Sequence, residues 1–490
     1  MKKVISVDLG ASNGRLILVK LTKNKLLLEE LHRFKNEAVK KDTHLFWDIS
    51  YIFQEIKAGL KKYTEMYKDS LDGIGIDTWG VDFGFVSFEN ELLEDPYSYR
   101  DTHTNKIMSE VHEKVGKQIL FKRTGIEPAP INTLYQIYAI QKNKSKLVDN
   151  VDVILTLPSL INFLLSGEKY NEFTHSSTTQ LLNIKSQDWD QELIESIFNK
   201  KLPLAHIKQT NTVYGYVKEE LMLEIELGSK KIPVINVPGH DTACALSAMA
   251  RNSNQTAFMS CGTWVLIGIE VDQPITSDDA YHWGFTNEGT AENTYRLQKN
   301  NMGLWLLQQC RKEWLEQGES ITYQEENDLL LEANPFQSLI NPDNEMFFNP
   351  PSMIEAIQSF CRDTNQIIPE TKGEMIRCIL ESLALKYRWV IERLEELSNR
   401  KIPSIHMAGG AIQNKGFCQF TANATKRQIQ TGPIEASAIG NALSQFIALG
   451  EFKDFKSARK VAKDSFETKE YIPKDVSKWD QIYEKFINYL

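Results

Sequence analysis

The chain has 490 residues, a hydrophobic content of 42%, a charged content of 25% and a formal net charge of −9. This length exceeds what one hydrophobic core normally serves, so we expect two or more domains. The net negative charge argues against a nucleic-acid-binding protein, which needs a basic face. No apolar run approaches the roughly 18 residues that suggest a membrane helix. The composition is that of an ordinary soluble protein.

The N-terminus and the cysteines both point to the cytoplasm. The opening residues, MKKVISVDLG, reach an acid at Asp8 before a signal-peptide core forms. The six cysteines include no CxxC pair and no zinc spacing with histidine. Buried, unreactive thiols are the simplest interpretation. Cys361 and Cys378 flank a proline-containing loop, but a reducing cytosol disfavours a lasting disulfide between them.

Apolar periodicity in the first half predicts alternating strands and helices. We predict strands over residues 4–7, 16–19, 26–32 and 74–76, helices over 49–67, 132–141 and 159–165, and a Ser- and Thr-rich loop over 172–180. The first two strands are joined by a turn of small residues, which is typical of a hairpin.

The second half repeats this opening pattern after a polar break at 251–256. An apolar run at 257–259, a turn containing Gly262 and a second apolar run at 264–269 predict another hairpin. We also predict helices over 301–314, 374–397 and 436–449 and a strand over 402–407. One hairpin at the start of each half suggests two related domains, although hairpins are common enough for chance. The alternation of strands and helices predicts an α/β protein.

Three glycine-containing turns are candidates for binding phosphate. In the first, residues 8–15, free backbone N–H groups make an anion nest, Arg15 offers a bidentate contact and Asp8 is a possible ligand of hydrated magnesium. The alternative is an ordinary hairpin turn with Asp and Asn. The Walker pattern GxxxxGK[ST] does not occur here, so a nucleotide site would not be a P-loop.

The other two turns are Gly262-Thr263 and Ala408-Gly409-Gly410. A hydroxyl and free amides at the former suit the outer phosphates of a nucleotide, and glycines at the latter permit close approach of a ring or a phosphate. A plain turn and tight helix–strand packing are the respective alternatives.

Two stretches suggest the acceptor side of a site. Asp241 follows Pro238-Gly239-His240, and an aspartate near a helix start in a cleft can accept a hydroxyl proton as a general base. The alternative, which the local pattern favours, is a helix N-cap. Aromatic and acidic residues at 79–83 and 99–101 are of the kind that hold sugars. Core packing and surface ion pairs are the alternative.

Together and in this order, the motifs resemble one family. The matching stretches are VDLGASNGR at 7–15, GIDTWGVDFG at 75–84, YSYRDTHT at 97–104, NTLYQIYAI at 132–140, EFTHSSTTQLLNI at 172–184, GHDTACA at 239–245, SCGTW at 260–264, LQKNNMGLWLLQQCRKEW at 297–314, RCILESLALKYRWV at 377–390 and GPIEASAIGNAL at 432–443. They resemble the FGGY carbohydrate kinases of the actin-like ATPase superfold. The resemblance spans nearly the whole chain. It implies an α/β protein with two actin-like ATPase (ribonuclease H-like) domains and a cleft between them. Residues 1–247 would form the sugar-binding domain and 248–490 the nucleotide-binding domain.

The resemblance also implies roles for individual residues. Asp241 would be the catalytic base; the substrate contacts would be Gly80, His240, Asp241, Thr242 and Asn300; the ATP contacts would be Ala11, Ser12, Asn13, Gly14, Arg15, Thr263, Gln308 and Gly410; and Asp8 would organise magnesium. Two departures from the family pattern are Cys261, where the family commonly has serine, and Ala411, where it commonly has a third glycine. The methyl group of Ala411 would loosen the packing of adenine.

Within the family, the resemblance is closest to members that act on L-rhamnulose. It implies transfer of the γ-phosphate from Mg²⁺-ATP to the 1-hydroxyl of this ketose, with no nucleic-acid or membrane partner, in a monomer or small homo-oligomer. A kinase of L-fuculose or D-xylulose is the nearest alternative. A non-catalytic actin-like protein and a lectin-like sugar binder are alternatives of other classes. The latter leaves both phosphate turns unexplained.

Overall fold

The computed structural model describes residues 1–67, 71–228, 230–249 and 255–490. Most of the predicted polar break, residues 251–254, therefore lies outside the described residues. The strands are β1 Lys2–Leu9, β2 Asn13–Thr22, β3 Lys25–Lys35, β4 Val39–Lys41, β5 His44–Phe46, β6 Gly73–Thr78, β7 Phe83–Ser87, β8 Val151–Thr156, β9 Asn171–Glu172, β10 Leu182–Asn183, β11 Asp188–Trp189, β12 Ile207–Lys208, β13 Thr212–Tyr216, β14 Pro233–Asn236, β15 Thr256–Cys261, β16 Trp264–Val271, β17 Thr286–Gly289, β18 Tyr295–Met302, β19 Ser404–Ala408, β20 Gln428–Thr431 and β21 Lys469–Tyr471.

The helices alternate with these strands. They are α1 Ile49–Met66, α2 Ile107–Val115, α3 Lys117–Thr124, α4 Thr133–Asn143, α5 Ser145–Val148, α6 Leu157–Ser166, α7 Phe173–Ser176, α8 Gln191–Phe198, α9 Glu219–Glu224, α10 Asp241–Ala248, α11 Asp278–His282, α12 Trp305–Glu316, α13 Tyr323–Glu332, α14 Met353–Asp363, α15 Lys372–Ser398, α16 Lys415–Thr425, α17 Ala436–Ala448, α18 Phe455–Ser465 and α19 Val476–Phe486. Short 3₁₀ turns cover Ser177–Thr179, Glu345–Phe347, Gly410–Gln413 and Ile487–Tyr489. Every helix in the described residues is too short or too polar to span a bilayer.

By its internal contacts the chain forms two compact units. The first comprises Met1–Ala250, Val271–Leu297 and Ala436–Phe466, and the second comprises Arg251–Glu270, Gln298–Glu435 and Glu467–Leu490. Two segments that follow residue 248 in sequence thus belong to the first unit.

A mixed sheet with the order β13-β14-β6-β1-β2-β3 organises the first unit. β1 pairs antiparallel with β2 and parallel with β6, and β6 pairs parallel with β14. β1 carries apolar residues on both of its faces, and Val4 through Leu9 are all buried. Burial on both faces is what a central strand flanked by helices requires.

The sheet of the second unit repeats this arrangement. It contains the run β18-β16-β15-β19-β20-β21. β15 pairs antiparallel with β16 and parallel with β19, β19 pairs parallel with β20, and β20 pairs antiparallel with β21. Each unit therefore begins with a hairpin whose first strand has a parallel neighbour on its other side. The predicted repeat of a hairpin is confirmed, and the two sheets are related by topology.

Helices α10 and α17 make the closest helix contact of the first unit. A Cβ added at Gly440 of α17 would lie 1.7 Å from the carbonyl oxygen of Cys244 in α10. Side chains of α17 also reach the sheet, where the Asn441 amide donates to the Gly75 carbonyl and the Gln445 amide donates to the Ile5 carbonyl, both at 3.0 Å. α17 therefore fixes α10 against the middle of the sheet.

The structure also corrects two sequence-based predictions of local structure. Residues 172–180 do not form a loop. They form the end of β9, helix α7 and a 3₁₀ turn, and all of them are buried. The helix predicted over 301–314 begins at Trp305, because residues 301 and 302 still belong to β18. All six cysteines, Cys361 and Cys378 among them, are buried free thiols.

Candidate active site

The carboxyl ends of three parallel strands gather the predicted catalytic residues of the first unit. Asp8 lies near the end of β1 and pairs in register with Asp77 of β6. The chain leaving β6 pairs with the chain leaving β14, since the Thr78 N–H donates to the Gly239 carbonyl at 2.9 Å and Thr78 forms a parallel bridge with His240. In open α/β sheets, ligands bind at such strand ends.

Asp241 is the first residue of α10, and His240 is its N-cap. The Thr242 N–H donates to Asp241 Oδ1 at 2.5 Å, and His240 Nδ1 lies 2.8 Å from the same oxygen. The side chain of Asp241 remains 33% exposed. Because His240 occupies the capping position, the helix does not depend on Asp241 as its cap.

The Asp241 carboxylate is held in its ionised form. Burial raises its pKa, but the hydrogen bond and charge of His240 and the donors of Thr242 outweigh burial, so the net pKa is lowered. An ionised, partly open carboxylate at a helix start can accept a proton from a hydroxyl group placed against it.

Gly80 lies directly beside His240. A Cβ added at Gly80 would lie 3.0 Å from His240 Nε2 and 3.4 Å from Thr178 Oγ1, so a larger residue would displace its neighbours. The next residue, Val81, has a φ of +68°. This conformation is a true outlier for a β-branched residue and signals stored strain.

Asp82 anchors the loop that carries Gly80. Its carboxylate is fully buried and accepts from the indole N–H groups of Trp47 at 2.6 Å and Trp79 at 2.8 Å, and from the Gln136 amide at 3.0 Å. Burial raises the pKa of Asp82 to about 6 in spite of these donors. The sequence suggested that Trp79 and Asp82 touch a sugar. The structure instead uses them to support the loop.

The β1–β2 turn carries the predicted ATP contacts Ala11 to Arg15. The Gly10 N–H donates to the Asn13 carbonyl at 2.9 Å, and the Asn36 amide ties the turn by donating to the Gly10 carbonyl at 2.7 Å. The side chains of Ser12 and Asn13 are exposed. The predicted hairpin is confirmed, and hydrogen bonds within the chain order its backbone.

Asp8, Asp77 and Arg15 form a charged group beneath this turn. Arg15 Nη2 donates to Asp8 Oδ2 at 2.5 Å across the hairpin. The Asn441 amide donates to Asp77 Oδ2 at 2.7 Å, whereas Asp77 Oδ1 is buried with no hydrogen-bond partner among the described residues. Burial and the neighbouring Asp8 charge raise the pKa of Asp77 well above its usual range.

In the second unit, two glycine turns meet at the ends of β15 and β19. A Cβ at Gly409, whose φ is +97°, would lie 2.5 Å from the Cys261 carbonyl oxygen, so only glycine allows this approach. Gly410 faces open space, since a Cβ there would meet nothing within 4 Å. Ala411 is only 8% exposed, so its methyl group is buried and the position that faces open space is Gly410.

The Gly262-Thr263 turn is connected to α12. The Thr263 hydroxyl donates to Gln308 Oε1 at 3.2 Å, and the Trp305 N–H donates to the Thr263 carbonyl at 3.2 Å. A Cβ at Gly303 would lie 2.6 Å from the same carbonyl oxygen. The structure therefore brings the predicted ATP contacts Thr263 and Gln308 together on exposed surface.

A partly buried ion pair links α12 to α16. The Arg311 guanidinium of α12 pairs with Glu326, and Glu326 accepts from the Asn414 amide, the N-cap of α16, at 2.6 Å. No local sequence pattern predicts this link. Asn300, a predicted substrate contact, is exposed on β18 in the second unit. Its role stays a prediction.

Comparison with known proteins decides the family. The N-terminal domain model of the FGGY family of carbohydrate kinases matches residues 3–247, and the C-terminal domain model matches residues 257–449. The chain belongs to the FGGY family of carbohydrate kinases. A relative named rhamnulokinase from Bacteroides thetaiotaomicron is 38% identical over 486 residues, which cover 99% of this chain and 98% of the relative. A relative of the same name from Bacillus subtilis is 35% identical over 473 residues, 96% of both chains.

Solved structures of low sequence identity share the fold of this FGGY kinase. Ligand-bound xylulose kinase from Lactobacillus acidophilus superposes with a TM-score of 0.84 at 18% identity, covering 100% of this chain and 97% of the other. Glycerol kinase with ADP from Plasmodium falciparum gives 0.81 at 16% identity, covering 100% and 98%. The expected fold of two actin-like, ribonuclease H-like domains is confirmed.

Sequence reasoning missed several side chains that build the site. Glu172 and Thr174 contact the turn before Asp241. A carboxylate oxygen of Glu288 lies 3.7 Å from His240 Nε2, and Glu288 is itself paired with the fully buried Arg296. Glu172 and Thr174 stand in a quoted family stretch, but local patterning offered no reason to single them out.

Proposed function

We propose that this FGGY kinase transfers the γ-phosphate of ATP to the 1-hydroxyl of L-rhamnulose. The observation that carries the proposal is near-full-length similarity to relatives named rhamnulokinase, 38% identical over 99% of the chain in one case. The first unit adds the chemistry that such a reaction needs, an ionised carboxylate with an open side at a helix start. The proposal keeps 1–247 as the sugar-binding part and 248–490 as the nucleotide-binding part.

Asp241 acts as the general base. Its Oδ1 is engaged by Thr242 and His240, which orient the carboxylate and leave its exposed side for the substrate hydroxyl. Proton removal by a positioned base contributes about 10²- to 10⁴-fold to such reactions. His240 and Gly80 lie next to each other, so the sugar is proposed to contact both. Thr242 and Asn300 complete the proposed substrate contacts.

The phosphates are proposed to contact the two hairpin turns and the Gly410 position. The Ala11–Arg15 turn and the Thr263–Gln308 pair supply N–H groups, a hydroxyl and an amide, and Gly410 leaves open space for the nucleoside. Phosphoryl transfer depends mainly on positioning and on stabilisation of charge. These donors, which include the positively charged Arg15, hold the phosphate oxygens in place without adding negative charge.

We propose that a magnesium ion binds in the first unit. Asp8 and Asp77 are adjacent in register, and Asp77 Oδ1 is a buried oxygen without a hydrogen-bond partner among the described residues. Carboxylate oxygens are hard ligands, which suit hydrated Mg²⁺. Asp8, with Asp77 beside it, would hold the ion, and the ion would neutralise phosphate charge. Arg15 pairs with Asp8 and orients that carboxylate.

A coupled ADP-release assay over a panel of ketoses and polyols tests the substrate. The proposal predicts release with L-rhamnulose and not with L-fuculose or D-xylulose. Faster turnover of either of the latter sugars would assign this kinase to another acceptor, and binding of sugar without ADP release would favour a non-catalytic binding protein.

The base is tested by Asp241→Asn, with Asp48→Asn as a matched control. Asp48 caps α1 and its carboxylate accepts from the Tyr51 N–H at 2.8 Å, and asparagine caps equally well. Asp241→Asn should lose about 10²-fold or more in turnover while still binding ATP, and Asp48→Asn should not. Near-normal turnover of Asp241→Asn would remove this residue from the mechanism.

A further inference from the structure

The segment predicted to be a loop lies between the two loops that form the sugar side of the site. We call residues 172–178 the bracket. The bracket is fully buried, with every residue at 3% exposure or less. On one side it contacts the turn 239–241, which leads into Asp241, and on the other it contacts the loop 79–82, which carries Gly80.

The bracket holds the turn before Asp241 through two side chains. Glu172 Oε2 accepts from the Gly239 N–H at 2.8 Å. The Thr174 hydroxyl accepts from the His240 N–H at 3.2 Å and donates to Glu172 Oε2 at 2.8 Å. A Cβ at Gly239 would itself lie 2.8 Å from Glu172 Oε2, so the backbone approaches the carboxylate as closely as glycine permits.

The bracket holds the Gly80 loop through two further side chains. His175 Nε2 lies 2.9 Å from the Trp79 carbonyl oxygen, and Thr178 Oγ1 accepts from the Val81 N–H at 3.1 Å. A strained residue such as Val81 persists only when its surroundings determine its conformation. The bracket supplies that constraint on the amide side of Val81.

Most side-chain polar groups of the bracket are hydrogen-bonded; the exceptions are His175 Nδ1 and Ser176 Oγ, which are buried with no hydrogen-bond partner among the described residues. Glu172 caps α7 by accepting from the Thr174 and His175 N–H groups. The hydroxyls of Ser177 and Thr178 donate to the carbonyls of residues 174 and 175 at 2.7 and 2.8 Å. A segment with this many internal bonds transmits a fixed distance from one loop to the other.

We propose that Glu172 and Thr174 are positioning residues, which fix the Asp241 carboxylate relative to the Gly80 loop during phosphoryl transfer. The inference rests on the proposed role of Asp241 as base. Proton transfer requires the base within hydrogen-bond reach of the attacking hydroxyl. A displacement of about 1 Å costs on the order of 10²-fold in rate. Neither Glu172 nor Thr174 contacts Asp241 itself, so both act through the backbone of Gly239 and His240.

Thr174→Val and Thr174→Ser form the central test. Valine keeps the shape but removes the hydroxyl that joins Glu172 to the His240 N–H, whereas serine retains the hydroxyl. Thr124→Val is the matched control, because the Thr124 hydroxyl is also buried, donates to the Leu120 carbonyl at 2.8 Å and accepts from the Ile126 N–H at 3.3 Å. Glu172→Gln gives a second measurement if Thr174→Val does not accumulate as folded protein.

We expect Thr174→Val and Glu172→Gln to lower kcat about 10²-fold, with KM for ATP unchanged, since the nucleotide contacts are not altered. Thr174→Ser should restore most of the rate, and Thr124→Val should lose stability but keep kcat. A Thr174→Val enzyme with the kcat of wild type would overturn the inference, and so would an equal fall in Thr124→Val. A wild-type enzyme inactive on every ketose would instead refute the proposed function, so the two failures are distinguishable.

Discussion

Gly440→Ala tests the close contact between α17 and α10, the helix that begins with Asp241. The added methyl would lie 1.7 Å from the Cys244 carbonyl oxygen and 2.6 Å from its carbon, where ordinary contacts begin near 3.4 Å. The obstacle is backbone, so no side chain can rotate away, and α10 and α17 must separate by about 1.7 Å. Overpacking of this kind costs about 3 kcal/mol.

The same separation moves Asp241, the first residue of α10. Because about 1 Å of misplacement costs on the order of 10²-fold, kcat should fall by at least that factor. Urea unfolding measures the stability change, and coupled ADP release measures kcat with L-rhamnulose. Gly410→Ala controls for the effect of the glycine-to-alanine change on stability, since its methyl meets nothing within 4 Å. Unchanged stability and kcat in Gly440→Ala would refute the close approach of the two helices.

Three further predictions follow from buried polar groups and the Thr263 turn. Asp82→Asn should lower the free energy of unfolding by about 3 kcal/mol, because an amide replaces an acceptor that faces only donors; an unchanged urea midpoint would contradict this. Burial lowers the pKa of His175 to about 3 from 6.5, so below pH 6.5 the unfolded chain takes up a proton that the folded chain refuses. The free energy of unfolding should therefore fall by about 2 kcal/mol from pH 6.5 to about 5. His175→Gln should reduce this loss, as measured by urea titrations at the two pH values. An equal loss in the variant and the wild type would exclude His175 as the source. Thr263→Val should weaken catalysis by removing the hydroxyl bonded to Gln308 and leave sugar affinity intact, whereas the opposite pattern of KM and kcat would assign Thr263 to the sugar.

Local sequence patterns were sufficient for elements whose residues decide their own structure. Both hairpins and α15 were located to within a few residues, since alternating apolar residues and a helical repeat report directly on local geometry. Asp241 is a different case, because its local pattern favoured a cap. The role of Asp241 as a base was predicted only from the family resemblance. In the structure the residue that caps α10 is His240.

The bracket shows why the rest could not be predicted. Its Ser and Thr residues are usual in loops, where water satisfies the hydroxyls. Here the partners lie far away in sequence: Gly239 is 67 residues from Glu172, and the Val81–Thr178 bond spans 97 residues. No window of sequence contains both ends of such a bond, so hydrophobic periodicity could not reveal that the segment is buried.

The two sheets share a topology, but the charges at their corresponding strand ends differ. At the carboxyl end of the parallel pair in the first unit, Asp8 faces Asp77, whereas Ser260 faces Ala408 at the corresponding end in the second. Two carboxylates favour a metal ion but repel phosphate, and their mutual repulsion contributes to the raised pKa of Asp77. A neutral pair beside Thr263 and Gly410 carries no such repulsion. The same fold therefore presents an acidic strand end, where a metal ion would offset the charge between the carboxylates and a phosphate on the Ala11–Arg15 turn, and a neutral end beside Thr263, where no such ion is needed. Replacing Ser260 by aspartate would place a carboxylate at the neutral end and should weaken ATP binding, measured by calorimetry, while leaving the first unit's chemistry unaltered. Unchanged ATP affinity would show that the charge difference between the two strand ends has no part in binding the nucleotide.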